Sequence, residues 1–245
     1  MAQPIDQAKQ AIRNRIWDLL EREGVVESGA YGYIPAFNGA DVAADRLAQV
    51  PAWQKARVIK AVPDRAQQPV RERALRDSKL LYMAVPKLAD DPPFCRIDPA
   101  CLTVPPREAA DRKVAARIGD KVATDQMRSI DLVVCGSVAV NREGARLGKG
   151  AGYSDIEVAL LREAGLITPD TVIVTTVHPL QVLDEPLPAT THDFGVDLIV
   201  SPGEVIECGR QRRPAGLDWE HLTAAQIAAI PVLAKQAHDR VPRLR

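Results

Sequence analysis

The chain has 245 residues, 46% apolar and 26% charged, and its 32 Lys+Arg balance 32 Asp+Glu. This is the composition of a globular protein with one large domain, or a domain and an extension. It gives no electrostatic case for a nucleic-acid or membrane partner. No apolar run approaches the roughly 20 residues of a bilayer span, and the N-terminal MAQPIDQAKQAIRNR lacks the apolar centre of a secretory signal. Cysteines at 95, 101, 135 and 208 form no CxxC and no metal-ligand spacing, as expected of reduced thiols in a cytoplasmic protein.

A first helix is predicted over Asp6–Glu23, with Ala8, Ile12, Ile16, Leu19 and Leu20 at helical spacing and Gly24 as its stop. After a Pro/Gly/Tyr-rich loop, Asn38 is the expected cap of a short helix carrying Val42, Leu47 and Val50. Ala56–Val62 and the apolar Lys79–Val85 read as strands, with a helix near Val70–Asp77 between them. Ala89–Pro106, rich in proline and turn residues, reads as irregular surface chain. A helix near Arg107–Ile118 precedes the strongest strand signal, DLVVCGSVAV (Asp131–Val140). A Gly-rich loop and a helix over Ser154–Ala164 follow, and then strands at Thr171–Val177 and Val196–Ser201. Near-continuous Val/Ile/Leu strands alternating with helices argue for an α/β fold whose mostly parallel sheet is covered on both faces. The tail after Cys208 opens on GRQRRPAGLDW and ends in a helix near Thr223–His238. It is expected to be an extension (209–245) packed on a main domain (1–208), with Arg210, Arg212 and Arg213 in an exposed basic turn.

RLGKGAGYSD (Arg146–Asp155) lies between a buried strand and a helix. Alternating Gly148, Gly150 and Gly152 let backbone N–H groups approach an anion, to which the helix N-terminus adds its positive end. Arg146 and Lys149 supply charge for polyphosphate oxygens, and Asp155 stands where it could hold magnesium. A Gly-rich turn whose Asp155 only caps the helix is the alternative. Neither better-known phosphate loop fits. Gly144 to Gly148 leaves three residues where the P-loop needs four, and the glycine triplet is one residue short of the dinucleotide fingerprint.

Together with VDLIVS, this loop resembles the 5-formyltetrahydrofolate cyclo-ligase (methenyltetrahydrofolate synthetase) family, whose loop has the form R-L-G-x-G-x-G-Y-Y-D. Arg146, Leu147, Gly148, Gly150, Gly152, Tyr153 and Asp155 match it. Lys9-Gln-Ala-Ile-Arg13 matches the family's K-x-x-L-R, and Thr191-His-Asp193-Phe-Gly-Val-Asp197 its motif before a late strand. The resemblance implies a three-layer sandwich with a mostly parallel sheet and helices on both faces. It implies ATP and Mg2+ as cofactors and a small-molecule substrate, a reduced folate, and says nothing of oligomeric state. Lys9 and Arg13, four apart on one helical face, would reach ATP phosphates. Arg146, Leu147, Gly148, Lys149, Gly150, Ala151, Gly152, Tyr153 and Ser154 would wrap the nucleotide. Asp155 and Asp193 would be the magnesium ligands, with His192 a structural neighbour.

The implied reaction is ATP-dependent closure of 5-formyltetrahydrofolate to 5,10-methenyltetrahydrofolate. The formyl oxygen takes the γ-phosphoryl group, N10 attacks the formyl carbon, and phosphate leaves. Lys9, Arg13 and Arg146 would act catalytically by holding the developing charge, with Lys149 beside them. The chain departs from the family at three places. Ser154 replaces the second Tyr, Ala66 stands where a folate-contacting Glu is usual (Ser78-Lys79 aligning with the family's G-K), and the tail runs past the usual end. Gln67, Gln68 or the Tyr31–Phe37 loop would have to compensate for the missing Glu. The alternatives are a nucleotide-binding protein without folate activity, and an ATP-dependent enzyme acting on another N-formyl or heterocyclic substrate.

Overall fold

The computed structural model describes residues 2–27 and 29–240. Its strands are β1 (Val58–Ala61), β2 (Leu80–Ala84), β3 (Phe94–Ile97), β4 (Asp120–Val122), β5 (Leu132–Cys135), β6 (Ala139–Asn141), β7 (Arg146–Leu147), β8 (Val172–Thr176), β9 (Val182–Leu183), β10 (Leu198–Val200) and β11 (Val205–Glu207). The main sheet runs β11-β10-β8-β5-β1-β2-β3-β4, and β7-β6-β9 form a small second sheet. The five central strands, β10-β8-β5-β1-β2, pair in parallel, whereas β3, β4 and β11 add antiparallel edges.

Alternating side chains feed the two faces of the main sheet. From β5, Leu132 and Val134 join a core with α2 (Ala40–Leu47), α3 (Pro51–Lys55), α4 (Gln68–Arg76), α5 (Pro106–Ala109) and α6 (Arg112–Ile118). Val133 and Cys135 face the other core, built with α7 (Tyr153–Glu163) and with Ile230 and Leu233 of the tail. The tail forms α8 (Ala224–Ala229) and α9 (Pro231–Arg240), broken at Pro231 and started by a Thr223 capping box. No helix among the described residues is long and apolar enough to cross a membrane.

The first helix, α1 (Ala2–Arg22), packs Ile16 and Leu20 on the small sheet, against Ala139 and Leu147. Ala8 is exposed and Lys9 is buried, so the inward row of α1 runs Lys9, Arg13, Ile16, Leu20. The apolar stripe therefore continues as two cations beside the chain leaving β7.

Several expectations are corrected. Asn38 does not cap α2. Gly39 holds the N-cap position without a side-chain bond, and the Asn38 amide donates to the Gly24 carbonyl at 3.3 Å. The Pro-rich 89–106 segment contains buried strand β3, since Phe94, Cys95 and Ile97 pack inward against β2 and its helix layer. The helix near 107–118 is two helices, because Asp111 caps a new start by accepting from the Lys113 and Val114 N–H groups. Asp131–Val140 is likewise two strands in different sheets. They part at Gly136, where a Cβ would stand 2.8 Å from Ile34 Cγ1. Arg213 is no exposed turn residue: it is ion-paired to Asp197, with its side chain 11% exposed, whereas Arg210 and Arg212 are exposed as expected.

Candidate functional site

A cavity of about 1080 Å3 opens where α1, the 146–155 loop and the start of α7 meet. The loop follows β7 directly, and β7 lies on the sheet that α1 covers, so the α1 cations and the glycines are brought together by the packing. Arg13 Nε donates to the Gly148 carbonyl at 2.7 Å. Burial lowers the Arg13 pKa, and Asp193, Asp6 and Asp155 oppose this. Gly150 has φ +94°, and a Cβ there would lie 3.2 Å from Arg13 Nη1. This position needs glycine for its backbone angle and for the approach of the guanidinium. Lys149 Nζ reaches Asp64 Oδ1 at 3.0 Å across the cavity wall. Lys9, Arg13, every residue from Arg146 to Asp155, and Asp193 all line this one cavity.

Arg146 is deeply buried, its side chain only 2% exposed. Its guanidinium lies 4.2 Å from the Phe194 ring centre, Nη1 donates to the Gly136 carbonyl at 3.3 Å, and Nη2 stands 3.6 Å from Asp155 Oδ1. Its buried Nε has no hydrogen-bond partner among the described residues. Burial pushes the Asp155 carboxyl up, since the charged form loses solvation; Arg146 opposes this and Asp193 adds to it. Burial pushes Asp193 the same way, but the Lys9 ammonium at 2.5 Å and two donors from Thr190 outweigh it and hold the carboxyl below its usual range.

The donor set fits a magnesium polyphosphate. The bonds to Asp193 all fall on Oδ2, so Oδ1 is left for an ion, and Asp155 is a partly exposed carboxylate whose cation partner, Arg146, stands 3.6 Å away. Among the described residues, the N–H groups of Gly148 through Gly152 make no recorded hydrogen bond, and Arg146 Nε is an orphaned donor. Donors pointing nowhere within a chain are the complement of an anion.

Ala66 is buried against α1, and Gln67 donates to the Thr176 carbonyl at 3.3 Å and does not line the cavity. From this stretch the cavity receives Asp64, and from the earlier loop between α1 and α2 the exposed rings of Tyr31 and Tyr33. Ser78, aligned with the family's glycine, has φ +55°, the left-handed backbone that favours Gly. The tail is also part of the wall, through Leu217, Asp218, His221, Leu222 and Gln226. Sequence reasoning missed this, because no motif marks residues that only packing brings to a cavity.

Fold and site together define a doubly covered α/β protein with a Gly-rich loop opposed by two α1 cations and two acids. The sequence profile of the 5-formyltetrahydrofolate cyclo-ligase family matches residues 5–202. The chain belongs to that family. It is 36% identical over 243 residues to a methenyltetrahydrofolate synthase domain-containing protein of Bos taurus, covering 95% of this chain and 62% of the relative. The Mus musculus protein of the same description is 38% identical over 237 residues, at 92% and 62% coverage. The chain thus spans about three fifths of the length of these relatives. The solution structure of Aquifex aeolicus 5,10-methenyltetrahydrofolate synthetase shares the fold, with a TM-score of 0.52 at 20% identity, over 87% of this chain and 99% of that one.

Proposed function

We propose that the cavity binds magnesium–ATP on the 146–155 loop and closes 5-formyltetrahydrofolate to 5,10-methenyltetrahydrofolate. The observation that carries this reading is the Arg13–Gly148 contact. It fixes the family's N-terminal cation motif on its Gly-rich loop, beside the Lys9–Asp193 pair. A volume of about 1080 Å3 lies at the upper end of the roughly 300–1,000 Å3 usual for ligand pockets.

When bound, magnesium–ATP supplies the phosphoryl group that turns the formyl oxygen into a phosphate leaving group. The protein's share is positioning and charge. Free N–H groups from Gly148 to Gly152 and the Lys149 ammonium hold the phosphate chain, with Leu147, Tyr153 and Ser154 as its flanks. Arg146, Arg13 and Lys9 stabilise charge on the transferred group from a buried side, where water competes least. Asp155 and Asp193 hold the metal. Tyr31 and Tyr33 offer aromatic faces for the pteridine ring.

The test is ultraviolet absorbance of the methenyl product from the full chain with 5-formyltetrahydrofolate, ATP and Mg2+. The signal is expected to vanish when either ATP or Mg2+ is omitted. Tight magnesium–ATP binding without product would assign the second reading, a nucleotide-binding protein or an enzyme for another N-formyl or heterocyclic substrate. The buried Ala66 at the usual Glu position favours that second reading.

A further inference from the structure

Outside the loop and its acids, one cluster has the donors of a transition-metal site. A ring nitrogen of His192, a ring nitrogen of His221 and a carboxylate oxygen of Asp218 lie within 4.8 Å of one another. The two imidazoles pack with centroids 5.0 Å apart, and all three residues line the cavity. His192 adjoins Asp193 in the family's late motif, whereas Asp218 and His221 come from the tail, beyond the matched residues.

We infer that His192, Asp218 and His221 form a three-ligand site for a borderline divalent cation of the Zn2+ type at the rim of the cavity. The hydrogen bonds behind His192 support this independently. Asp193 Oδ2 accepts from Thr190 Oγ1 at 2.8 Å, which commits the one hydroxyl proton. The 2.9 Å contact between Thr190 Oγ1 and His192 Nε2 must then be donated by the ring. The other ring nitrogen, Nδ1, is buried without a hydrogen-bond partner among the described residues. An imidazole fixed by one nitrogen with the other left bare is the arrangement of a metal-ligating histidine. On the tail side, His221 Nδ1 lies 2.8 Å from Asp218 Oδ2, so these two ligands are already gathered.

Two imidazoles and one carboxylate suit Zn2+ with a fourth position open, and suit Mg2+ poorly, since Mg2+ prefers oxygen donors. The open position is left for water or an oxygen of a bound molecule. The ion would also tie the tail to the loop that carries Asp193, closing one side of the cavity.

The untagged, chelator-treated full chain, in excess Mg2+, is titrated with Co2+ by visible absorption and with Zn2+ by calorimetry. One Co2+ per chain is expected, with d–d bands of nitrogen and oxygen ligation, displaced by Zn2+. His221→Ala and Asp218→Asn are each expected to weaken binding by more than about tenfold, with the metal-free unfolding temperature unchanged. No stoichiometric binding would overturn the assignment. So would thiolate charge-transfer bands, or parental affinity in both variants.

Discussion

Gly150→Ala tests whether the shape of the loop, beyond its charges, makes the proposed nucleotide site. The native φ is +94°, and the new methyl would stand 3.2 Å from Arg13 Nη1 and 3.3 Å from Cζ. An L-residue held in left-handed backbone costs about 1–2 kcal/mol. The methyl also presses on the guanidinium whose Nε donates to Gly148 O at 2.7 Å, and a hydrogen bond from a charged group contributes about 1.5–3 kcal/mol. If the loop relaxes by losing part of that bond, magnesium–ATP affinity falls about tenfold for each 1.4 kcal/mol. Melting temperature falls only about 2–4 °C per kcal/mol in a chain of this size. Gly165→Ala is the matched control. Its φ is +71° at the far end of α7, and nothing lies within 4 Å of its Cβ. It should lower the melting temperature similarly and leave affinity unchanged. Calorimetric titration with magnesium–ATP and thermal unfolding of both variants decide it. Equal affinities in parent, Gly150→Ala and Gly165→Ala would refute the role given to the loop.

Asp155→Asn should weaken magnesium–ATP binding about ten- to a hundredfold while raising the melting temperature at pH 7. A carboxyl whose folded pKa is raised opposes folding fully above that pKa and not at all below its unfolded value. The gain should therefore fade as pH falls towards the ordinary aspartate range, which thermal scans across pH would reveal. Lys9→Met leaves Asp193 half-buried without its ammonium, and should cost about 1–3 kcal/mol by denaturant titration. The lowered Asp193 pKa stabilises the fold above the unfolded pKa and is lost as pH falls through the folded one. The variant should therefore acid-unfold at higher pH than the parent. Lys60→Met breaks the fully buried ion pair with Glu157 and should cost about 3–5 kcal/mol, whereas adding Glu157→Leu should recover much of that loss. A double variant no more stable than the single one would show that the pair is not acting as a unit.

The parallel centre of the sheet was legible because strands covered on both faces must be apolar throughout. Val133 and Val134 face opposite cores, and so do Leu81 and Tyr82. Lys9 and Arg13 were legible as neighbours through helical spacing alone. What escaped depends on distant partners. β3 sits among prolines and is a strand because β2 and β4 flank it. The break between β5 and β6 turns on Ile34 occupying the space beside Gly136, and no local residue announces that contact. Arg213 read as a surface charge because its partner Asp197 lies 16 residues earlier. His221 carried no pattern, since its neighbour His192 comes from a different loop.

The tail is where sequence and structure pull hardest against each other. We propose a division into a main unit, 1–208, and an extension, 209–245, because the family match stops at residue 202. Packing makes the extension more than an accessory. Ile230 and Leu233 are fully buried in the same core as α7, and each such side chain contributes about 1.5–3 kcal/mol by leaving water. The Leu217 N–H donates to Glu163 at the end of α7, and Gln226 from α8 stands over Gly152 at its start. The tail therefore spans the helix that begins at the Gly-rich loop, and its contacts help set where that loop sits. Changes in the tail should thus register at the cavity as well as in the core, since Asp193, the start of α7 and the tail line one cavity while Ile230 and Leu233 pack with Val133 of β5. If so, the specificity of this branch of the family is written partly in residues that the shared family motifs do not contain.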